Sequence, residues 1–539
     1  MKHRYAHWLL GLMFSCLASS SLAAEYQTLA IVTGSSVEAF SADLSFLGKT
    51  VQNARMAENA GKALSKLSGV TGLDGLDRTR RWAVALRTDG IDIAPLVLVP
   101  VADLPLSLQS LRPILGQAEK TEDGLFKIGS GSFTGYIREH DGWAYLAQSP
   151  DRLADLPNPQ ALLAEADDDA LLAITIFIRR LPEAYRGMAI DRLREMTAAA
   201  ISPPPSAGLS SLLSQEQSLA LLQMVEEGLT SAGETRLAVR IDHLQKTLHI
   251  DLRVTPLEGT PLNAAVGQLA EVSDKAAELP RDEACRLHVN WPMDDAGRAV
   301  WRGRLDRYRQ ASGPPPDAGA KPSLGAWFAE LAAETVAADN CRLELVAVGE
   351  RPPVSLAARF DLRDKASVAR VAASWNELRK QQPPAPAAAN RELEIPPWPG
   401  AVSLRVDTAA LPPALARDLG EGKAIWLAAD EGRVVIGWGP RADLAFQRAF
   451  AAADDKPRLE LSLHAGTSLS QWSQWIGSEQ LKSLAPLLVL NLRSADDRVF
   501  IVAGRDQQDL RLSLTAHEGI LRTAAFGLSL GVLQVMSGN

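Results

Sequence analysis

The segment "DGWAYLAQSPDRLADL" (Asp141–Leu156) reads as a strand, a turn and the start of a helix, and its pattern returns in "EGRVVIGWGPRADLAF" (Glu431–Phe446). Each copy carries an acid, a Gly, a short strand-like run and a Pro that opens a helix in the same frame. A chain built twice on one plan has far fewer architectures open to it than a chain without a repeat, so other landmarks should follow in the same order. Gly142 and Gly432 stand 290 residues apart. "PLVLVPVADL" and "PVSLAARFDL" set Pro95 against Pro353 and Asp103 against Asp361, both 258 residues apart, and Leu29 with Leu287 and Ala83 with Cys341 share that spacing. Leu237 with Val499 and Leu248 with Leu510 stand 262 apart. The spacing changes across "QQPPAPAAANRELEIPPWPG" (Gln381–Gly400) and "ISPPPSAG" (Ile201–Gly208). Pro at this density belongs in surface connections, not in helix interiors or central strands. A repeat this long is a domain duplication and not a solenoid.

Alternating apolar and polar runs such as "WAVALRT", "FTGYIRE", "TLHIDLRV" and "RLELSLH" are strands, and the connections "REHDG" and "AADEG" are short enough to join antiparallel neighbours. Helical periodicity appears in "EAYRGMAIDRLREM" and "DKASVARVAASWNELRK". Strands and helices do not alternate one for one, which points to an α+β fold. The expectation is two tandem similar domains, residues 25–283 and 284–539, each a mostly antiparallel sheet with helices packed on one face.

The N-terminus reads as a secretory leader. "MKHR" is a basic start, "WLLGLMFSCLASSSLA" an apolar core, and "SLAA" (Ser21–Ala24) offers small residues for cleavage, so residues 1–24 are expected to be a signal peptide. No later apolar run reaches the roughly 18–20 residues of a membrane span. The mature chain is therefore expected to be exported, periplasmic or secreted, with no transmembrane segment. The 539 residues are 22% charged with a net charge of −8 and no long Lys/Arg run, which argues against nucleic acid as a partner.

Loss of the leader removes Cys16 and leaves Cys285 and Cys341. Two cysteines in an oxidising compartment suggest one disulfide, with two separate buried thiols as the alternative. The bridge needs the strands that these residues open to be neighbours running the same way.

The catalytic motifs are thin. "GSGSFTG" (Gly129–Gly135) has Gly-flanked serines, but it joins two strands, whereas a nucleophile elbow joins a strand to a helix. The six remaining histidines are His140, His243, His249, His288, His464 and His517, and none forms HExxH or HxH. Cys285 and His288 have C-x-x-H spacing, yet strand alternation sends them to opposite faces. His140, His243 and His517 lie in polar, turn-like contexts expected to be solvated. Acid clusters at "ADDDA", "MDDAG" and "AADDK" fit helix starts and turns rather than calcium loops. No metal, cofactor or catalytic residue is assigned. Trp398 in "IPPWPG" and Trp472 with Trp475 in "SQWSQW" are candidates for a partner surface, with core packing as the competing role.

"LVLVPVADLPLSL", "GWAYLAQSPDRLADLP" and "DALLAITIFIRRLPEAYRGMAIDRLREM" together cover roughly Trp82 to Thr197, and in combination they resemble a family of large exported bacterial proteins of unknown function. The resemblance implies export and repeated sheet-plus-helix architecture, and it brings no catalytic residues. The expected function is a non-enzymatic binding or scaffold protein of the cell envelope, holding a lipid-like hydrophobic ligand or a protein partner. The alternative is an exported hydrolase acting through a carboxylate pair.

Overall fold

The structure of the chain is a computed structural model. It describes residues 26–50, 73–90, 92–130, 133–164, 169–201, 231–272, 279–311, 324–350, 354–381, 399–405, 424–451, 456–475, 488–490 and 495–523, with 226, 228, 230, 485, 486, 492 and 493. The expected leader (1–24), Trp398 and the Pro-rich stretch before it lie outside these residues.

The chain divides into two compact units. The first runs to Leu262 and the second spans Asn263–Thr523. In the first, the strands are β1 (Gln27–Gly34), β2 (Trp82–Thr88), β3 (Ile93–Pro100), β4 (Gln117–Lys120), β5 (Phe126–Ser130), β6 (Phe133–His140), β7 (Trp143–Ala147), β8 (Leu172–Ile176), β9 (Ala232–Asp242) and β10 (Thr247–Pro256). They hydrogen-bond in the order β4-β5-β6-β7-β3-β2-β1-β8-β9-β10, every ladder antiparallel. The second unit has β11 (Glu283–Pro292), β12 (Asn340–Val348), β13 (Ser355–Asp361), β14 (Val402–Arg405), β15 (Ala424–Ala429), β16 (Arg433–Trp438), β17 (Arg458–His464), β18 (Arg498–Asp506) and β19 (Asp509–Ala516). Their order is β14-β15-β16-β13-β12-β11-β17-β18-β19, again antiparallel throughout.

The two orders match strand for strand, with β4 an extra edge strand in the first unit. The segments that recur in the sequence take the same place in each. Asp141 and Gly142, at φ 50° and 71°, form the two-residue tip between β6 and β7, with the positive φ at both positions that twist-matched hairpins favour. Glu431 and Gly432 form the tip between β15 and β16, where the Asp430 N–H donates to Arg433 O at 3.0 Å. The spacing read from sequence is less sound in the first strands. The bulge in β1 falls at Leu29 and that in β11 at Ala284, so Leu29 corresponds to Ala284, three residues short of Leu287.

The expected α+β arrangement of two domains, each with helices on one face, is overturned. The described residues are mostly sheet, with nineteen antiparallel strands among them, and in both units apolar clusters cover both faces. In the second unit, α1 (Leu324–Val336) and α2 (Lys365–Lys380) bring Trp327, Val371 and Trp375 against Ile425, Val434 and Ile436. A third helix, α3 (Ala442–Ala451), packs Ala445, Phe446 and Ala449 on Val346, Ala357 and Val435, which face the other way. The first unit follows suit: Leu96, Leu98 and Tyr145 pack with Leu153 on one side, while Ile137 and Ala144 pack with Leu104 and Leu108 on the other. The physical reason is in "RVVIGW", where consecutive residues are apolar. Alternate side chains leave opposite faces of a strand, so such a run must be covered on both.

The close approach of α3 depends on Gly437 in β16. A Cβ there would stand 2.5 Å from Leu356 O and 2.5 Å from Phe446 Cε2. Since the first of these is backbone, the β13–β16 ladder itself would have to move. Gly437→Ala is expected to cost about 1–3 kcal/mol by overpacking, read as a lower thermal midpoint with the native circular dichroism spectrum retained.

Candidate functional site

The second unit departs from the first most sharply in the chemistry of one sheet face. In β1 and β2, Ile31 lies opposite Ala85 and Thr33 opposite Ala83. At the corresponding places in β11 and β12, Arg286 lies opposite Val346 and His288 opposite Glu344. A patch without charge in one unit has become a line of charges in the other, and its carboxylates are buried. Glu283 and Glu344 are 1% and 2% exposed.

These charges are joined in series. Arg448 of α3 reaches Asp282 at 2.8 Å and Glu283 at 2.9 Å. Arg286 donates to the same Glu283 oxygen, Oε1, at 2.7 Å, and its Nε stands 3.9 Å from Glu344. Glu344 in turn pairs with His288 Nδ1 at 2.8 Å. Burial of ions at this depth is costly unless each is paired and hydrogen-bonded, so the series explains how the charges are tolerated. Hydrogen bonding to the Arg448 guanidinium holds the Asp282 carboxyl below its ordinary pKa against a small burial penalty.

The pairing stops short at one point. Glu283 Oε2 is buried and has no hydrogen-bond partner, and Glu283 lines a cavity of about 190 Å³ at the end of the sheet where β11 begins and β17 ends. His464, the last residue of β17, lines the same cavity. Its Nδ1 stands 2.8 Å from Asp497 Oδ1, and Asp497 Oδ2 accepts from the Gly466 N–H at 2.7 Å. A carboxylate has no hydrogen to give, so Nδ1 donates, and in the neutral ring Nε2 then presents a lone pair. That Nε2 is also buried without a partner. Arg281, Glu350, Thr467 and Arg493 complete the part of the wall that matters chemically. The Thr467 hydroxyl donates to Glu350 O at 3.0 Å and accepts from Arg493 Nη2 at 3.4 Å.

A second cavity, of about 380 Å³, lies on β9 and β10 and is lined by Arg236, Arg240, Asp251 and Arg253. Its carboxylate is already matched: Arg240 donates to Asp251 at 2.6 Å. Among the described residues no group of three or more His, Cys, Asp or Glu is placed to hold a metal ion.

The residues singled out from sequence are scattered. Cys285 and Cys341 are both free. The expected bridge required β11 and β12 to run the same way, but they run antiparallel: Cys285 lies opposite Ala347 and Cys341 opposite Trp291. Six ladder positions then separate the thiols, roughly 20 Å at strand rise, against the 7 Å that a disulfide tolerates between Cα atoms. Burial, with the nearby Glu283 charge, pushes the Cys285 thiol up to about 11, and burial also raises Cys341. Both thiols are thus protonated and poorly nucleophilic at pH 8. Native protein at that pH is expected to react with a thiol reagent far more slowly than denatured, unreduced protein, in which Cys285 and Cys341 both titrate. A rapid native reaction at either, or no reaction after denaturation, would contradict this.

Cys285 and His288 leave opposite faces of β11, as alternation requires. Trp472 and Trp475 lie in the helix Ala465–Trp475 that follows β17. His517 is not a solvated surface histidine: it pairs with Asp496 at 3.0 Å and meets the Phe500 ring edge-on. His243 stacks on Phe46 and contacts Asp43 at 2.6 Å. In "MDDAG", Asp294 accepts from the Gly297 N–H at 2.7 Å, as a helix start should. The pairing of His464 with Asp497 escaped sequence reading, because 33 residues separate them and neither sits in a recognisable motif. The signal that was available is weaker: a His closing one strand and an Asp immediately before another.

No helix among the described residues is long and apolar enough to cross a membrane. Comparison of the chain with protein-family profiles, curated proteins and solved structures gave no match.

Proposed function

We propose that the protein is an exported, non-enzymatic binding protein that holds a small polar ligand in the cavity beside Glu283 and His464. One observation carries this reading: Glu283, with a side chain 0% exposed, keeps one carboxylate oxygen unpartnered at a cavity wall. An unmatched buried acceptor costs about 1–3 kcal/mol, and more when it is charged, so a donor from a ligand recovers that cost. The charged lining favours a polar ligand over the lipid-like one expected between sheet and helices. Export rests on the leader-like N-terminus and on the resemblance to exported bacterial proteins.

The geometry supports binding better than hydrolysis. A His–Asp pair serves acyl transfer when its free nitrogen holds a hydroxyl nucleophile. Here no hydroxyl contacts His464 Nε2, and that of Thr467 is engaged elsewhere. Both Asp497 oxygens are also engaged, one by the His464 ring and the other by the Gly466 N–H.

Native mass spectrometry of protein purified without detergent from the exported fraction tests the reading. A small polar adduct, lost on denaturation, is expected. A lipid-mass adduct would replace the polar ligand with an apolar one, and recovery only from the unexported fraction would remove export. A bare mass, with no thermal shift across a panel of small polar metabolites, would overturn the proposal altogether.

A further inference from the structure

The wall of the cavity in the second unit carries donors and acceptors without partners, and together they specify a ligand. Glu283 Oε2 is a buried carboxylate oxygen without a donor. His464 Nε2, an acceptor in the neutral ring whose Nδ1 donates to Asp497, is a second. Arg281 lines the same cavity and makes no hydrogen bond or ion pair among the described residues. Of the remaining charged groups on the wall, Asp497 is committed to His464 and Gly466 and Arg493 to Glu350 O and Thr467, while the exposed Glu350 side chain adds a further carboxylate acceptor.

We infer that this cavity binds a small zwitterion carrying an ammonium and a carboxylate group, as a free α-amino acid does. The inference rests on the binding reading above and names its ligand class. An ammonium has three N–H donors, enough to satisfy Glu283 Oε2 and His464 Nε2 together. Its bond to Glu283 is charge-assisted, which makes it shorter and about twice as strong as a neutral one. A carboxylate opposite the ammonium meets Arg281, whose planar fork suits two parallel hydrogen bonds. The charges decide between ligand classes. Acceptors that lack a donor, Glu283 Oε2 foremost, and a guanidinium that lacks an acceptor leave a simple amine or a simple acid with part of the site unanswered, and a ligand carrying both groups answers both. Size points the same way, since about 190 Å³ falls below the roughly 300–1,000 Å³ of pockets for drug-sized molecules.

Calorimetric titration of the full mature chain with glycine, ethylamine and acetate tests this. Glycine is expected to bind, with ethylamine and acetate each weaker by at least about tenfold, the loss of one charge-assisted contact. Arg281 is on the surface, so Arg281→Gln should melt as the parent does. That variant should weaken glycine by about tenfold and leave ethylamine within about twofold. His464→Gln should weaken glycine and ethylamine alike. Equal binding of the three probes, or glycine binding unchanged in Arg281→Gln, would overturn the zwitterion. If the protein carries a polar adduct that glycine and L-alanine do not displace, the zwitterion fails while the binding reading stands. If there is neither an adduct nor any probe binding, both fail.

Discussion

Replacing Trp375 with alanine is expected to cost about 3–5 kcal/mol of folding stability, the range for an aromatic side chain removed from a packed core. Trp375 is 0% exposed and sits at the centre of the cluster under α1 and α2. Its ring lies 4.6 Å from that of Trp327, tilted by 57°. Two indole hydrogen bonds fix the layer in place: Trp375 Nε1 donates to Val402 O at 3.2 Å, and Trp327 Nε1 donates to Val371 O at 2.9 Å. The first ties α2 to the edge strand β14, so the truncation opens a cavity and also leaves a carbonyl without its donor. Trp375→Phe keeps most of the volume and loses the N–H, and it should cost well under half as much. Denaturant unfolding followed by circular dichroism reads both variants without relying on the fluorescence of the residue removed. A loss below about 1 kcal/mol for the alanine variant would mean that α2 does not seal this face.

Arg448→Ala should be comparably damaging, about 3–5 kcal/mol, for a different reason. Removing one partner of a buried ion pair leaves the other charge stranded. Glu283 would keep only Arg286 at one oxygen and nothing at the other, while Asp282 would lose the contact that lowers its pKa. That contact carries a pH signature. Because the folded-state pKa of Asp282 is depressed, its stabilisation is present above the ordinary aspartate value and is lost as pH falls through that value to the folded one. The stability gap between parent and Arg448→Ala should therefore be widest near neutrality and narrow in acid. Glu283→Gln in the Arg448→Ala background should recover part of the loss, since the stranded charge is gone. Denaturation midpoints for the four proteins of this cycle, near pH 7 and again below the aspartate range, provide the measurement. A gap that widens in acid, or no recovery in the double variant, would contradict the account.

The strands themselves were legible because a period of two in hydrophobicity is a local property. "RLELSLH" is β17 and "FTGYIRE" lies within β6, and the turn between β6 and β7 is marked by its Gly. The Gly/Ser segment around residues 129–135 joins strand to strand, as its neighbours implied. Coverage of the faces was less visible. Alternation in some strands suggested one buried face, while "RVVIGW" and "WAYLA", each buried at four positions, called for helices or loops on both. The candidate site was almost invisible. Glu283, His464 and Asp497 are separated by long stretches of chain and stand in contexts that suit ordinary strand ends.

Local chemistry, read along the chain, was enough to establish that an alternating strand pattern recurs, that a Gly-marked hairpin tip sits at Gly142 and again at Gly432, and that Asp294 starts a helix. Pairing was settled only by the tertiary structure. The antiparallel sense of β11 and β12 places Cys285 and Cys341 at opposite ends of a ladder. The same ladder lays Glu344 beside His288, and the return of β17 to β11 brings His464 to the cavity that Glu283 lines. Sequence spacing bears on neither result, because strand direction and register are set by which faces must be buried and which partners complete each ladder.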